Sequence, residues 1–247
     1  MLAPRASELD LRDAVAVRKY LDHQRPDVII HAAAVVGGIG ANRAHPGRFF
    51  YENAVMGVQL IEEARRANVG KFVCLGTICA YPKFAPIPFR EETSVDGYPE
   101  EKNAPYGVAK KLLLVQSQAY RDQYGMNSIV LFPVNMYGER DNFDLRTSHV
   151  IPAMIRKFSS AMHLSSGTVT LWGDGTPTRE FLYVDDAARG LCDAAAHYTD
   201  PDPVNLGAGL DISMHDRPLT LREPPAFGGE TAGHLQQPTG KPRRRLG

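Results

Sequence analysis

Three apolar runs of strand length, separated by stretches of helical period, restrict this chain to an alternating α/β architecture. The runs are Asp27-Val-Ile-Ile-His-Ala-Ala-Ala34, Lys71-Phe-Val-Cys-Leu-Gly-Thr-Ile-Cys-Ala-Tyr81 and Ser128-Ile-Val-Leu-Phe-Pro-Val-Asn-Met-Tyr-Gly138. A continuous apolar run marks a strand buried on both faces, which is the condition of parallel strands. Helical stretches at Asn53 to Asn68 and Tyr106 to Tyr124 supply the crossovers such strands require. The expected fold is therefore a doubly wound parallel sheet. Ligands in such sheets bind outside the carboxyl ends of the strands. The first run brings Ala32 to Ala34 to that edge, small enough to admit a flat cofactor, although tight helix packing would use the same residues. The second run delivers Thr77 and Cys79 to the same edge.

Tyr106 and Lys110, in Ala104-Pro-Tyr-Gly-Val-Ala-Lys110, add chemistry to this scaffold. Four residues apart on a helix, a phenol and an ammonium share one face. Proline in the first turn supports the helical placement. A nearby ammonium favours phenolate, so a tyrosine that titrates near ~10 in water is expected to shift downward and act as a proton shuttle. An isolated pair of this kind is also what a solvated helix face would show; the surrounding strands favour the chemical reading.

Further motifs occur in fixed order: Val35-Val-Gly-Gly-Ile-Gly-Ala-Asn42, Leu75-Gly-Thr-Ile-Cys-Ala-Tyr-Pro-Lys83, Asn103-Ala-Pro-Tyr-Gly-Val-Ala-Lys110, Pro133-Val-Asn-Met-Tyr-Gly138, Asp141-Asn-Phe-Asp144, Ser148-His-Val-Ile-Pro152 and Leu171-Trp-Gly-Asp-Gly-Thr-Pro-Thr-Arg-Glu-Phe181. With these, the chain from about Glu8 to Ser213 resembles the extended short-chain dehydrogenase/reductase superfamily. Within it, the chain is most similar to the GDP-L-fucose synthase family of GDP-4-keto-6-deoxymannose epimerase-reductases. Tyr-x-x-x-Lys marks only the superfamily, whereas the Cys79 and His149 segments together point to this activity.

The resemblance implies a Rossmann-like domain that binds NADP(H), a GDP-sugar substrate and a homodimer. Tyr106 would protonate the sugar C4 oxygen, Lys110 would lower the Tyr106 pKa and hold the nicotinamide ribose, and Thr77 would orient the ketone. Many relatives carry Ser at that position; Thr keeps the hydroxyl. Cys79 and His149 would be the base and acid that epimerise carbons beside the ketone, since thiol and imidazole are adjustable into a working range. Taken singly, Cys79 reads first as a small core hydrophobe and His149 as a packing or capping residue; their joint occurrence in these motifs favours the chemical roles. The implied cofactor contacts are Asp10 and Leu11 at the adenine, then Leu75, Gly76, Thr77, Ile78, Tyr106, Lys110, Pro133, Val134, Asn135, Met136 and His149. Trp172, Arg179 and Lys157 would hold the substrate, Arg179 because its planar fork suits a diphosphate. Alternatively Trp172 anchors a small core, Arg179 pairs with Asp174 or Glu180, and Lys157 is a solvated helical lysine.

The chain also departs from the family pattern. No Gly-x-x-Gly-x-x-Gly turn precedes a helix near Met1, so the first strand, phosphate loop and first helix of the relatives have no expected counterpart. Gly37, Gly38 and Gly40 follow a later strand and do not replace it. Arg217 to Gln236 is rich in breakers and lacks helical period, whereas Gln237 to Leu246 again resembles the family, so a local reading-frame disturbance followed by early termination is expected. The expected organisation is a partial NADP-binding domain over 1–140, a partial substrate region over 141–216 and an irregular tail over 217–247. Another nucleotide-sugar epimerase or dehydratase, or an inactive fragment without cofactor binding, are the competing readings.

Composition sets outer bounds. With 247 residues and 43% hydrophobic content, the chain can bury one sizeable core. Its 28 basic and 28 acidic residues argue against a nucleic-acid partner, and the Arg243-Arg-Arg245 cluster is too short to change that. The apolar runs fall far short of the ~20 residues that cross a bilayer. Three cysteines, an odd number, argue for reduced thiols and a cytoplasmic setting, and no metal-ligand spacing is visible.

Overall fold

Asp13 opens the first helix, α1 (Ala14–Gln24), by accepting hydrogen bonds from the Val15 and Ala16 amides at 2.9 and 3.0 Å. The computed structural model describes residues 1–164, 168–172, 177–213, 230–234 and 243–244, with the backbone alone for 172, 230–234 and 243–244. After α1 come β1 (Val28–His31), the short α2 (Ile39–Ala44) and α3 (Pro46–Arg66). The α3 helix starts well upstream of Asn53, because Pro46 suits a first turn whose amides lack intrahelical acceptors. There follow β2 (Lys71–Leu75), a 3-10 turn at Ile78–Ala80, and α4 (Ala104–Tyr124), which begins with Pro105 in its first turn. At its other end the Gly125 amide returns to the Arg121 and Tyr120 carbonyls.

The third apolar run forms two strands. β3 (Ser128–Pro133) lies in the main sheet, whereas β4 (Asn135–Tyr137) pairs with β6 (Thr178–Tyr183) in a second one. The chain crosses between sheets at Val134, whose amide bonds the Leu206 carbonyl. Beyond it lie α5 (Val150–His163), β5 (Thr168–Trp172), α6 (Val184–His197), β7 (Val204–Leu206), β8 (Asp211–Ser213), β9 (Glu230–His234) and β10 (Arg243–Arg244). The main sheet is wholly parallel, in order β1-β2-β3-β7. In the second sheet β6 lies between β4 and β10 and also pairs with β8, while β5 and β9 pair separately. Of the stretch expected to be irregular, 217–247, residues 217–229 lie outside the described residues, but Glu230–His234 and Arg243–Arg244 beyond them form strands.

Alternation along β2 and β3 builds the three layers. Phe72, Cys74, Val130 and Phe132 join the core beneath α3 and α4, which includes Ile61, Leu113 and Leu114. Val73, Ile129 and Leu131 point the other way, against Leu191, Ala194 and Ala195 of α6. Each fully buried side chain of this size contributes roughly 1.5–3 kcal/mol relative to exposure. Lys71 ties α6 to the sheet, its Nζ donating to the Ala194 and Tyr198 carbonyls at the helix C-terminus. The first run departs from expectation: among the described residues β1 is an edge strand, and its Val28 and Ile30 side chains are 46% and 42% exposed while Ile29 on the other face is half-buried and His31 buried.

Candidate active site

The carboxyl ends of the main strands open on a cleft of about 620 Å³. Its floor is the turn after β2. There Thr77 Oγ1 accepts the Cys79 amide at 3.2 Å, which shapes the 3-10 turn carrying Cys79; both residues follow the strand instead of extending it as expected. The α4 helix lies directly on this turn. A Cβ on Gly107 would stand 2.4 Å from the Cys79 carbonyl oxygen, so glycine next to Tyr106 is what allows the helix to approach. The phenol of Tyr106 thereby reaches the Thr77 hydroxyl and hydrogen-bonds it.

The electrostatics correct one expectation. Burial pushes the Tyr106 phenol above its ordinary value; the Cys79 and Cys74 thiols push the same way and the Thr77 hydrogen bond pulls back. Lys110 does not lower it. The ammonium, 2% exposed, instead donates to the Leu75 carbonyl at 2.9 Å, and burial shifts its own pKa downward. Tyr106 is consequently held as the neutral phenol, the form a proton donor requires.

His149, at the N-cap position of α5, lines the same cleft. The desolvated setting of its imidazole lowers its pKa, with Asp141 acting in the opposite sense. Thus Thr77, Cys79, Tyr106, Lys110 and His149 line one cavity, together with Leu75, Gly76, Ile78, Pro133, Val134, Asn135 and Met136. The last four span the crossing from β3 to β4.

Lys157 and Arg179 line the same cleft. Lys157 Nζ donates to the Thr170 carbonyl at 2.8 Å, and Arg179 Nη1 to that of Thr178 at 2.6 Å. Trp172 ends β5, one residue after the cleft-lining Leu171, but its side chain and residues 173–176 lie outside the described residues. Asp10 and Leu11 are not among the lining residues: Asp10 binds the Arg12 guanidinium and Leu11 packs against the core. Sequence reasoning missed Gly37, Gly38, Asn42, Asn103, Arg140 and Ser148, all of which line the cleft. The signal was available in part, since most of these residues lie in the quoted motifs.

The sequence model of the NAD dependent epimerase/dehydratase family matches residues 3–207. The chain is 41% identical to a GDP-L-fucose synthase of Sinorhizobium fredii over 239 residues, 97% of this chain and 76% of that one. It superposes on a Campylobacter jejuni GDP-6-OMe-4-keto-L-xylo-heptose reductase with a TM-score of 0.91 at 26% identity, covering 100% of this chain and 82% of the other. A GDP-mannoheptose C4 reductase from the same organism, solved with NADP bound, gives 0.87 at 27% identity, with coverage of 100% and 82%. No helix among the described residues is long and apolar enough to cross a membrane. The parallel sheet, the Tyr106–Lys110 helix over the Thr77 turn and these matches together establish that the chain belongs to the NAD dependent epimerase/dehydratase family, as a member resembling GDP-L-fucose synthase.

Proposed function

We propose that this protein converts GDP-4-keto-6-deoxy-D-mannose to GDP-L-fucose by NADPH-dependent 3,5-epimerisation and 4-reduction. The observation that carries the reading is the gathering of Cys79 and His149 in one cleft with Thr77, Tyr106 and Lys110. A reductase needs the last three; an epimerase acting beside a ketone also needs a base and an acid.

Cys79, after β2, and His149, at the start of α5, take a proton from the carbon next to the ketone and return one to it, so the sugar gains and loses no atoms. Thr77 and Tyr106 both present hydroxyls to the ketone oxygen, stabilising the charge it gains. NADPH, when bound, supplies the hydride for reduction. Tyr106 gives its hydroxyl proton to the C4 oxygen. Lys110 uses one of its three N–H bonds on Leu75, and the remaining donors suit the hydroxyls of a cofactor ribose. Ala32 and Ala34, small residues lining the same cleft, leave room for a flat ring. These features fit the nicotinamide half of a dinucleotide, and the similar heptose reductase binds NADP. Lys157 and Arg179 provide positive charge for the diphosphate.

The test begins with NADPH titration of the folded chain by calorimetry, followed by turnover of the keto sugar nucleotide with NMR identification of the product. Saturable binding and a fucose-configured product are expected. Absence of binding by the folded chain would refute the reading. A second reading, 4-reduction of a different GDP-4-keto sugar without epimerisation, draws support from the two Campylobacter reductases. A reduced product with unaltered C3 and C5 would establish that one instead.

A further inference from the structure

The loop after β1 meets the segment that carries His149, more than a hundred residues away in sequence. The Gly38 amide donates to the Thr147 carbonyl at 2.9 Å. A Cβ on Gly38 would stand 2.5 Å from the Ser148 carbonyl oxygen and 3.5 Å from its carbon, both of them backbone atoms directly before His149. At Gly37 a built Cβ would meet the Thr147 carbonyl oxygen at an ordinary 3.4 Å, so the close approach of the two backbones is at Gly38. At this point the two backbones touch with no room for a side chain.

Each partner in this contact is independently held. Asn42 Nδ2 donates to the Gly37 and Gly38 carbonyls at 2.9 and 3.2 Å. Asn53, 2% exposed on α3, accepts the Val35 amide and donates to the Val35 carbonyl, at 2.9 and 3.0 Å. On the other side, the Thr147 and Ser148 amides both return to the Asp144 carbonyl, and Asn142 Nδ2 donates to Thr147 Oγ1 at 2.8 Å. Two fixed loops that meet through backbone atoms alone transmit position with little slack.

We propose that Gly38 is a positioning residue for His149: by seating the Thr147–Ser148 backbone against the loop of β1, it sets how far the imidazole reaches toward the substrate carbon opposite Cys79. The proposal rests on the epimerase-reductase reading and deepens it, since it concerns only the proton step beside the ketone. Hydride transfer depends on Thr77, in the turn after β2, and on Tyr106 and Lys110 of α4, all carried by elements other than this loop. Displacing His149 is therefore expected to slow the proton step more than reduction.

The test compares the wild type with Gly38→Ala, Asn42→Ala and Gly40→Ala, each checked for folding by circular dichroism. Gly40 is the control, because a Cβ there would meet the Arg146 carbonyl oxygen at an ordinary 3.9 Å. Deuterium incorporation from heavy water into the keto sugar reports the proton step; NADPH oxidation on pre-epimerised keto sugar reports reduction. Gly38→Ala is expected to slow incorporation at least about 10-fold while changing that reduction less than about 3-fold, within the range that a general acid or base supplies. Asn42→Ala, which loosens the loop without a clash, should shift the same ratio in the same direction. Equal loss of both rates in both variants, or no loss of incorporation in either, would overturn the proposal. A wild type that neither exchanges nor reduces would count against the epimerase-reductase reading alone. In that case the His149 ring signals decide, by NMR: perturbation in Gly38→Ala but not in Gly40→Ala supports positioning, and unchanged signals overturn it.

Discussion

Asn53→Ala should destabilise this protein more than its single amide suggests. The side chain makes three bonds from a nearly water-free position: to the Val35 amide at 2.9 Å, to the Val35 carbonyl at 3.0 Å and to the Phe49 carbonyl at 2.6 Å. Phe49 lies one turn back in α3, so its carbonyl keeps the helical bond from the Asn53 amide. Both Val35 groups lose their partner. Each net hydrogen bond is worth about 0.5–1.5 kcal/mol, and each buried group left unpaired costs about 1–3 kcal/mol, which places the loss at about 2–4 kcal/mol. For a chain of this length, 1 kcal/mol moves Tm by about 2–4 °C, so a fall of about 5–15 °C is expected. Differential scanning fluorimetry against an Asn53→Asp variant, which keeps the acceptor for the Val35 amide and loses both donors, would apportion the effect. A fall below about 2 °C in Asn53→Ala would refute the reasoning, because it would mean that water replaces these bonds freely and that the loop reaching Gly38 is not held by α3.

Tyr106→Phe should cut reduction by roughly 10²–10⁴-fold with little change in Tm, measured as NADPH oxidation; unchanged turnover would exclude the phenol as proton donor. Cys79→Ser should impair deuterium exchange beside the ketone more than reduction of the epimerised substrate, since a hydroxyl is the poorer base; equal losses would point to damaged packing. Gly107→Ala should cost about 1–3 kcal/mol by forcing α4 away from the Cys79 carbonyl, and thermal unfolding with no shift would show that the helix has slack there. His31, 2% exposed, has its pKa lowered to about 3 by burial first and the Lys110 charge second. The folded state then resists a proton that the unfolded chain accepts below ~6.5, so this group's contribution is intact at neutral pH and is lost as pH falls through the window from ~6.5 to 3. The loss is about 2 kcal/mol by pH 5. His31→Leu should flatten that part of the stability profile in urea titrations between pH 7 and 5, and an unchanged slope would place the titration elsewhere.

What could be read from the sequence, and what could not, follows from how far each feature reaches along the chain. β2 and β3 were legible because burial on both faces leaves an unbroken apolar run, and α4 because Pro105 and Gly125 mark its ends locally. The switch at Val134 was not, since hydrophobicity continues from Ile129 to Tyr137 while the partner strand changes from β2 and β7 to β6. Nor did the run at Val28–His31 disclose an edge strand, because burial on one face or two depends on which strands pair with it. The Tyr106–Lys110 spacing identified two groups on one helical face, yet the fate of the ammonium was decided by the Leu75 carbonyl, 35 residues upstream on another element. Spacing along a helix reports proximity; which acceptor captures a buried cation is a tertiary question. Gly37 and Gly38 make the same point from the other side. Judged as a phosphate loop they fail, since they follow the wrong strand, and the tight fit of Gly38 against Ser148 has no local signature at all. A glycine whose side-chain space is filled by a distant backbone carries information about that distant segment, and here the segment is the one that delivers His149 to the cleft.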